Sequence, residues 1–227
     1  MTSKFRLGAA LLALTLVCGC ENPADDAAKA TVGAAEPIAA EPIAAASNVA
    51  AAQSIPLTPE NTTIEFVGSK VTGSHEGGFK KFDGTFHLVP GQLAECRLEA
   101  EIDMDSTWSD SEKLTGHLKS ADFFDVEKHA TAKFVSTDLE PIKDDQDATH
   151  TITGNLTLHG VTKSISFPAT LEIRDEAASL QSEFAINRKD FGIVYPGSPD
   201  NLIRDEVVIR LSIDAPREDA ASVAEEA

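Results

Sequence analysis

Cysteine is nearly missing from this chain: of 227 residues, three are Cys, at positions 18, 20 and 96. Two of them close an apolar leader, which leaves Cys96 without an internal disulfide partner, so the fold must stand on its apolar core. Positive charge is also scarce, with 19 Lys and Arg against 37 Asp and Glu and a net charge of −18 at pH 7. A surface of that sign repels phosphate backbones, and nucleic acid is excluded as a partner. The most apolar run, 7–17, is too short to cross a bilayer. Catalytic signatures are missing as well. There is no nucleophile elbow, no phosphate loop, and no metal-type spacing among His75, His87, His117, His129, His150 and His159. The reading is therefore of a protein that is not an enzyme, with no cofactor and no metal ligands, although a site assembled across strands would leave no such trace.

What the chain does have is alternation. Over 149–174, two arms flank the turn His159-Gly160. Ile152, Leu156 and Leu158 share one side of the first arm, and Ile165, Phe167, Ala169, Leu171 and Ile173 share one side of the second, with Thr, Ser, Asn and Glu opposite. Period two means strand, with one face for water and one for a core. Similar signals at 63–70, 79–89, 93–104, 131–139, 180–186 and 206–213 bring the expected number of strands to eight. That is a natural count for a closed barrel, whose interior would just hold side chains or one slender ligand. Cys96 falls within the alternating apolar series and reads as a small buried hydrophobe. One helix interrupts the strands, with Ser109 and Glu112 as a capping box and Leu114 and Leu118 on one face. The fold class is thus all-β, an eight-stranded antiparallel barrel with one or two short helices.

The two ends differ from the middle. Residues 1–19 carry Lys4 and Arg6, a short apolar centre and small residues before Cys20, the pattern of an export signal. Val17-Cys18-Gly19-Cys20 resembles the lipobox of bacterial lipoproteins, which implies acylation of Cys20 and a membrane anchor; the alternative is an ordinary signal peptide with incidental cysteines. Glu21 after that cysteine leans towards the outer membrane. Residues 20–54 are Ala-rich and interrupted by Pro37 and Pro42, and they read as a disordered tether. The domain spans 55–215, and the acidic stretch 216–227 is a tail.

Four stretches within that domain resemble one known family, the YceI-like proteins. They are Gly73-Ser74-His75-Glu76-Gly77-Gly78-Phe79 with Phe82-Asp83-Gly84, then 118–125, then Thr157-Leu158-His159-Gly160-Val161-Thr162-Lys163, then Asn187-Arg188-Lys189-Asp190-Phe191-Gly192. The resemblance departs at His129, which precedes Ala130 where many relatives have Pro. It implies a lipocalin-like barrel, exported to the periplasm, whose elongated apolar interior takes a polyisoprenoid such as a quinone or polyprenyl lipid, for storage or transport.

A long hydrocarbon suits an apolar tube, since enclosing it returns roughly 25 cal/mol per Å². The candidate lining is Phe66, Phe82, Phe86, Phe134, Leu156, Phe167, Phe184 and Ile186, with Phe123, Phe124 and Phe191 nearer one end. The same side chains would equally fill a solid core, and Phe123-Phe124 would equally plug the barrel end. Arg188 stands where the seventh strand ends, placed either to meet a cargo headgroup or to pair with Asp190 and fix the loop. Other functions would be docking of an envelope partner by a solid-core barrel, or hydrolysis of envelope esters. The alternation neither demands nor forbids a homodimer.

Overall fold

The structure, a computed structural model, describes residues 22–37, 53–89, 92, 95–143, 147–174 and 177–216. The export signal, Cys20 and the acidic tail beyond Pro216 lie outside the described residues. In chain order the strands are β1 Ala28–Lys29, β2 Thr31–Ala34, β3 Gln53–Leu57, β4 Thr62–Lys70, β5 Gly73–Phe79, β6 Phe82–Leu88, β7 Arg97–Asp103, β8 Thr107–Ser109, β9 Thr131–Pro141, β10 His150–Leu158, β11 Val161–Ile173, β12 Ala177–Asn187, β13 Gly197–Ser198 and β14 Asn201–Pro216. Two short α-helices accompany them, α1 Pro23–Asp26 and α2 Glu112–Lys119.

These strands form one curled, mostly antiparallel sheet in the order β3-β6-β7-β9-β10-β11-β12-β14-β4-β5-β8, with β1, β2 and β13 joined at its sides. The count corrects the expected eight: fourteen strand segments lie among the described residues. Corners account for part of the excess. Lys80 and Lys81 break the chain between β5 and β6, where both amides donate to Ser106 Oγ, at 3.2 and 3.0 Å. A 3-10 turn at Met104–Ser106 splits the neighbouring run into β7 and β8. Through these corners β5 runs on into β6 and β7 into β8, so the chain links the two ends of the ladder and curls it into a half-barrel with its apolar face inward. β5 lies close against its neighbours: a Cβ at Gly77 would stand 2.5 Å from both the Phe66 ring and the Trp108 carbonyl.

The hairpin behind the strand assignment forms as its alternation predicts, with Ile152 opposite Phe167 and Leu158 opposite Val161 in the β10–β11 ladder. Ile152, Ile165, Phe167, Leu180, Ile213 and Phe86 are each at most 3% exposed and meet in one cluster. Each contributes on the order of 2 kcal/mol by leaving water. Cys96 belongs to the same cluster at 0% exposure; burial pushes its thiol pKa up, which disfavours the reactive thiolate.

The N-terminal segment departs most from expectation. In place of the start of a disordered tether, residues 22–34 carry α1, β1 and β2 and lie on the sheet. The physical reason is in β11. Alternate residues of β11 send their backbone groups to opposite neighbours, and Ala169 O accepts from Thr149 N on the β10 side. Pro168 therefore faces β12, and it has no N–H to donate. The β11–β12 ladder covers Thr170 to Ile173 and stops there, while Pro168 O accepts from Ser182 Oγ at 2.6 Å. Beyond that point β2 pairs with β11, placing Val32 opposite Ile165, and β1 pairs with β12 in parallel. The segment completes the ladder that the proline interrupts. Alanines 24 and 27 also cover an outward apolar patch of Val67, Ala185 and Val208. Short Ala side chains conceal this role in the sequence, because the segment supplies backbone edges and close packing in place of large apolar groups.

Helix α2 is capped by Ser111, whose Oγ accepts from Leu114 N, and not by Ser109 as the capping-box spacing predicts. Ser109 is held by β8, and its hydroxyl is 2.9 Å from Thr115 Oγ1.

Candidate functional site

Three clusters of buried apolar residues line the inner face. The largest holds Phe86, Phe167, Phe184, Ile186 and Phe191; a second holds Phe66, Leu118, Phe123 and Ile193; a third holds Phe82, Ile102, Met104 and Ala132. They meet through side chains that stay half-buried. Leu158 packs against all three, Ile209 against the first and second, and Phe79 and Phe124 against the second and third. In a solid core this junction would be its most enclosed part, since interiors pack at crystal-like density. Here the clusters are buried, while Leu158, Ile209, Phe79 and Phe124, where they meet, stay partly exposed.

The expected lining residues divide between these settings. Phe66, Phe82, Phe86, Phe123, Phe167, Phe184, Ile186 and Phe191 are buried, whereas Phe124, Phe134 and Leu156 are half-buried. Phe167 stacks on Phe184 with ring centroids 4.1 Å apart and has Phe134 at 5.8 Å, forming an aromatic row along the wall. Phe66, Phe79 and Phe124 form a triangle with centroids 5.8 to 6.2 Å apart. The adjacent phenylalanines separate in role. Phe123 closes the end beneath α2 with Tyr195 at 5.3 Å and His117 at 4.9 Å, while Phe124 reaches the junction.

Arg188 is not available to a headgroup. At 4% exposure, its Nε donates to Arg204 O at 3.1 Å, its Nη1 to Ile193 O at 2.7 Å and its Nη2 to Asp205 at 3.2 Å. Burial lowers the guanidinium pKa and Asp205 opposes that shift. The acidic partner is Asp205, seventeen residues along the chain, and not the nearby Asp190. Lys189 reaches the same carboxylate at 2.8 Å.

Several residues at the junction were absent from the lining predicted by the sequence. Leu158 and Ile209 lie on apolar faces that the alternation does identify, and Phe79 lies in a recognised motif. What the pattern cannot tell is which inward residue meets a neighbour and which meets space. An outer cleft of about 470 Å³ at the β5–β6 corner is a separate feature, bordered by Lys80, Trp108 and the Lys119–Asp105 ion pair.

Comparison with known proteins follows the same lines. The model of the YceI-like domain matches residues 56–215. A UPF0312 protein of Pseudomonas putida (strain F1) is 39% identical over 128 residues, taking in 54% of this chain and 65% of that protein. The chain thus spans just under two thirds of this relative's length. Among solved structures, Burkholderia cenocepacia BcnA superposes with a TM-score of 0.60 at 23% identity, covering 68% of this chain and 96% of that one. A polyisoprenoid-binding domain from Saccharophagus degradans implicated in plant cell wall breakdown superposes at 0.56 with 14% identity, covering 74% of this chain and all of that one. At these identities the two structures attest a shared fold.

Proposed function

The chain belongs to the YceI-like family, and from that premise we propose that its curled sheet binds a polyisoprenoid lipid, of quinone or polyprenyl type, along the apolar junction between the three inner clusters. The observation that carries this reading is the half-buried state of Leu158, Ile209, Phe79 and Phe124 where those clusters meet. The polyisoprenoid-binding domain that shares the fold supports the same class of ligand. Binding would serve storage or transport without catalysis. Headgroup selection does not rest with Arg188, whose donors are engaged within the protein.

The protein is exported and held on the periplasmic side of a membrane by acylated Cys20. The packing of the N-terminal segment changes what such an anchor does. Asn22, two residues on, is 6% exposed and accepts from Ser69 Oγ at 3.2 Å. A lipid on Cys20 would hold this end of the half-barrel against the bilayer and not suspend it at a distance. Val71, two residues beyond Ser69, and Leu202 are 54% and 51% exposed, and Val71 N donates to Leu202 O at 3.2 Å. An apolar rim beside the anchor would let cargo pass between bilayer and interior with little contact with water.

Organic extraction of the natively produced protein, followed by mass spectrometry, tests the reading. A long-chain isoprenoid near one per chain is the expected result; an extract with no stoichiometric lipid from material made in its own membrane-bearing host would refute it.

A further inference from the structure

Asp125, His129 and His159 converge at the α2 end of the half-barrel, each offering an atom within 4.8 Å of those of the others. We propose that these three side chains bind a divalent transition-metal ion, Zn2+ being the representative case.

The chemistry of the donor set points to that class. Two neutral imidazoles and a carboxylate suit zinc, cobalt or nickel, whereas Ca2+ and Mg2+ prefer oxygen throughout. Three protein ligands leave a further position for water, as in sites that are not purely structural.

The local construction fits a ligand site. His159 Nδ1 lies 3.2 Å from Phe191 O. A carbonyl can only accept, so the ring hydrogen sits on Nδ1 and Nε2 presents its lone pair. A backbone carbonyl on the remote nitrogen is the usual means of fixing a metal-binding histidine, and Phe191, at 0% exposure, is a rigid support for it. The second imidazole is seated just as closely. A Cβ at residue 160 would lie 2.7 Å from the His129 ring, so Gly160, with φ +74°, makes room for that ring and allows the two imidazole centroids to stand 4.6 Å apart. Asp125 and His159 have φ of +47° and +51° and are the non-glycine residues with positive φ among those described. Left-handed backbone is unfavourable for a residue with a Cβ, and it falls here on two of the three proposed ligands. The backbone also closes the loop between two of the proposed ligands, since His129 N donates to the Asp125 carbonyl oxygen at 2.8 Å.

Lys128 is the competing partner, with Nζ 2.8 Å from Asp125 Oδ2. Its side chain is 72% exposed and can turn into solvent, and a carboxylate has about four acceptor positions. The ion pair therefore slows or weakens metal capture without preventing it. Nothing in this site requires lipid in the interior, so the inference stands or falls apart from the cargo reading.

The test uses the full chain without a purification tag, stripped with a chelator and titrated with Co2+ under visible absorption, with Zn2+ as competitor. One ion per chain is expected. His129→Ala and His159→Ala should each weaken binding on the order of 100-fold, and His75→Ala, at a surface histidine 2.9 Å from Asp110, should leave it unchanged. If the alanine variants misfold, paramagnetic broadening by Co2+ in the unaltered protein must select the imidazole signals of His129 and His159. Failure to saturate at one ion per chain, undiminished binding in either alanine variant, or broadening centred on other histidines would overturn the proposal.

Discussion

Arg188 and Asp205 are joined by a hydrogen-bonded ion pair of 3.2 Å in which the guanidinium is 5% exposed and the carboxylate 40%. The asymmetry shows what the pair does. Asp205 keeps its hydration, whereas Arg188 has left water and also satisfies two backbone carbonyls, those of Ile193 and Arg204. The interaction ties the 3-10 turn Arg188–Phe191 to the start of β14.

Replacing Arg188 by Leu should therefore cost stability, about 2–4 kcal/mol, because two carbonyls lose their donor in a buried setting. Arg188→Lys should restore little, as an ammonium cannot reproduce three donors in fork geometry. Chemical denaturation of both variants measures this. If Arg188 contacted cargo instead, lipid content would fall while the midpoint held.

Leu158→Trp places a bulky ring where the three inner clusters meet. A solid core would be overpacked and lose about 1–3 kcal/mol. A junction with room for a hydrocarbon chain should accept the ring with little change in midpoint and lose extractable lipid. Measuring both quantities on one preparation separates the two outcomes.

Ala24 is 1% exposed against Val67 and Val208. Ala24→Asp should detach α1 from the outer wall at a cost of about 1–3 kcal/mol, since the carboxylate would be buried with no partner arranged for it. Hydrogen exchange should then show early loss of protection in β1 and β2, the strands that fill the gap left by Pro168. Unchanged protection would mean that the edge pairing holds the segment without the helix.

His150 begins β10, and burial lowers its pKa. A group whose pKa is lower in the folded protein binds its proton less readily there than in the unfolded chain. The corresponding stability is complete above the unfolded value of about 6.5 and is lost as pH falls from there through the folded value. His150→Gln should flatten the acid limb of the stability profile in that window and leave the neutral plateau nearly unchanged.

How far the fold can be read from the chain differs by element. The β10–β11 hairpin is legible residue by residue, because each arm alternates and the turn carries Gly160. Helix α2 is legible in kind but displaced at its cap, since Ser109 and Ser111 are equally good acceptors until β8 engages the first. The strands β1 and β2 are invisible to hydrophobic pattern. Their place depends on an amide that Pro168, more than a hundred residues later, does not have.

The candidate interior divides in the same way. The phenylalanines of the inner face are recognisable, but their sorting into buried and partly exposed positions depends on how far the sheet curls. His129 and His159, thirty residues apart, have no common motif, and only the return of the chain across the half-barrel's end brings them into contact.

By itself, then, the amino-acid order determines which side of each strand is apolar, where turns must fall, and that a strongly acidic chain must close on an apolar core, because these follow from local backbone geometry and hydration. The tertiary structure decides the rest: the corners that multiply the strand segments, the N-terminal edge that fills the gap at Pro168, the partner of Arg188, and the histidine pair. Each of these depends on the distance between residues remote in sequence, a quantity set by the curvature of the whole sheet.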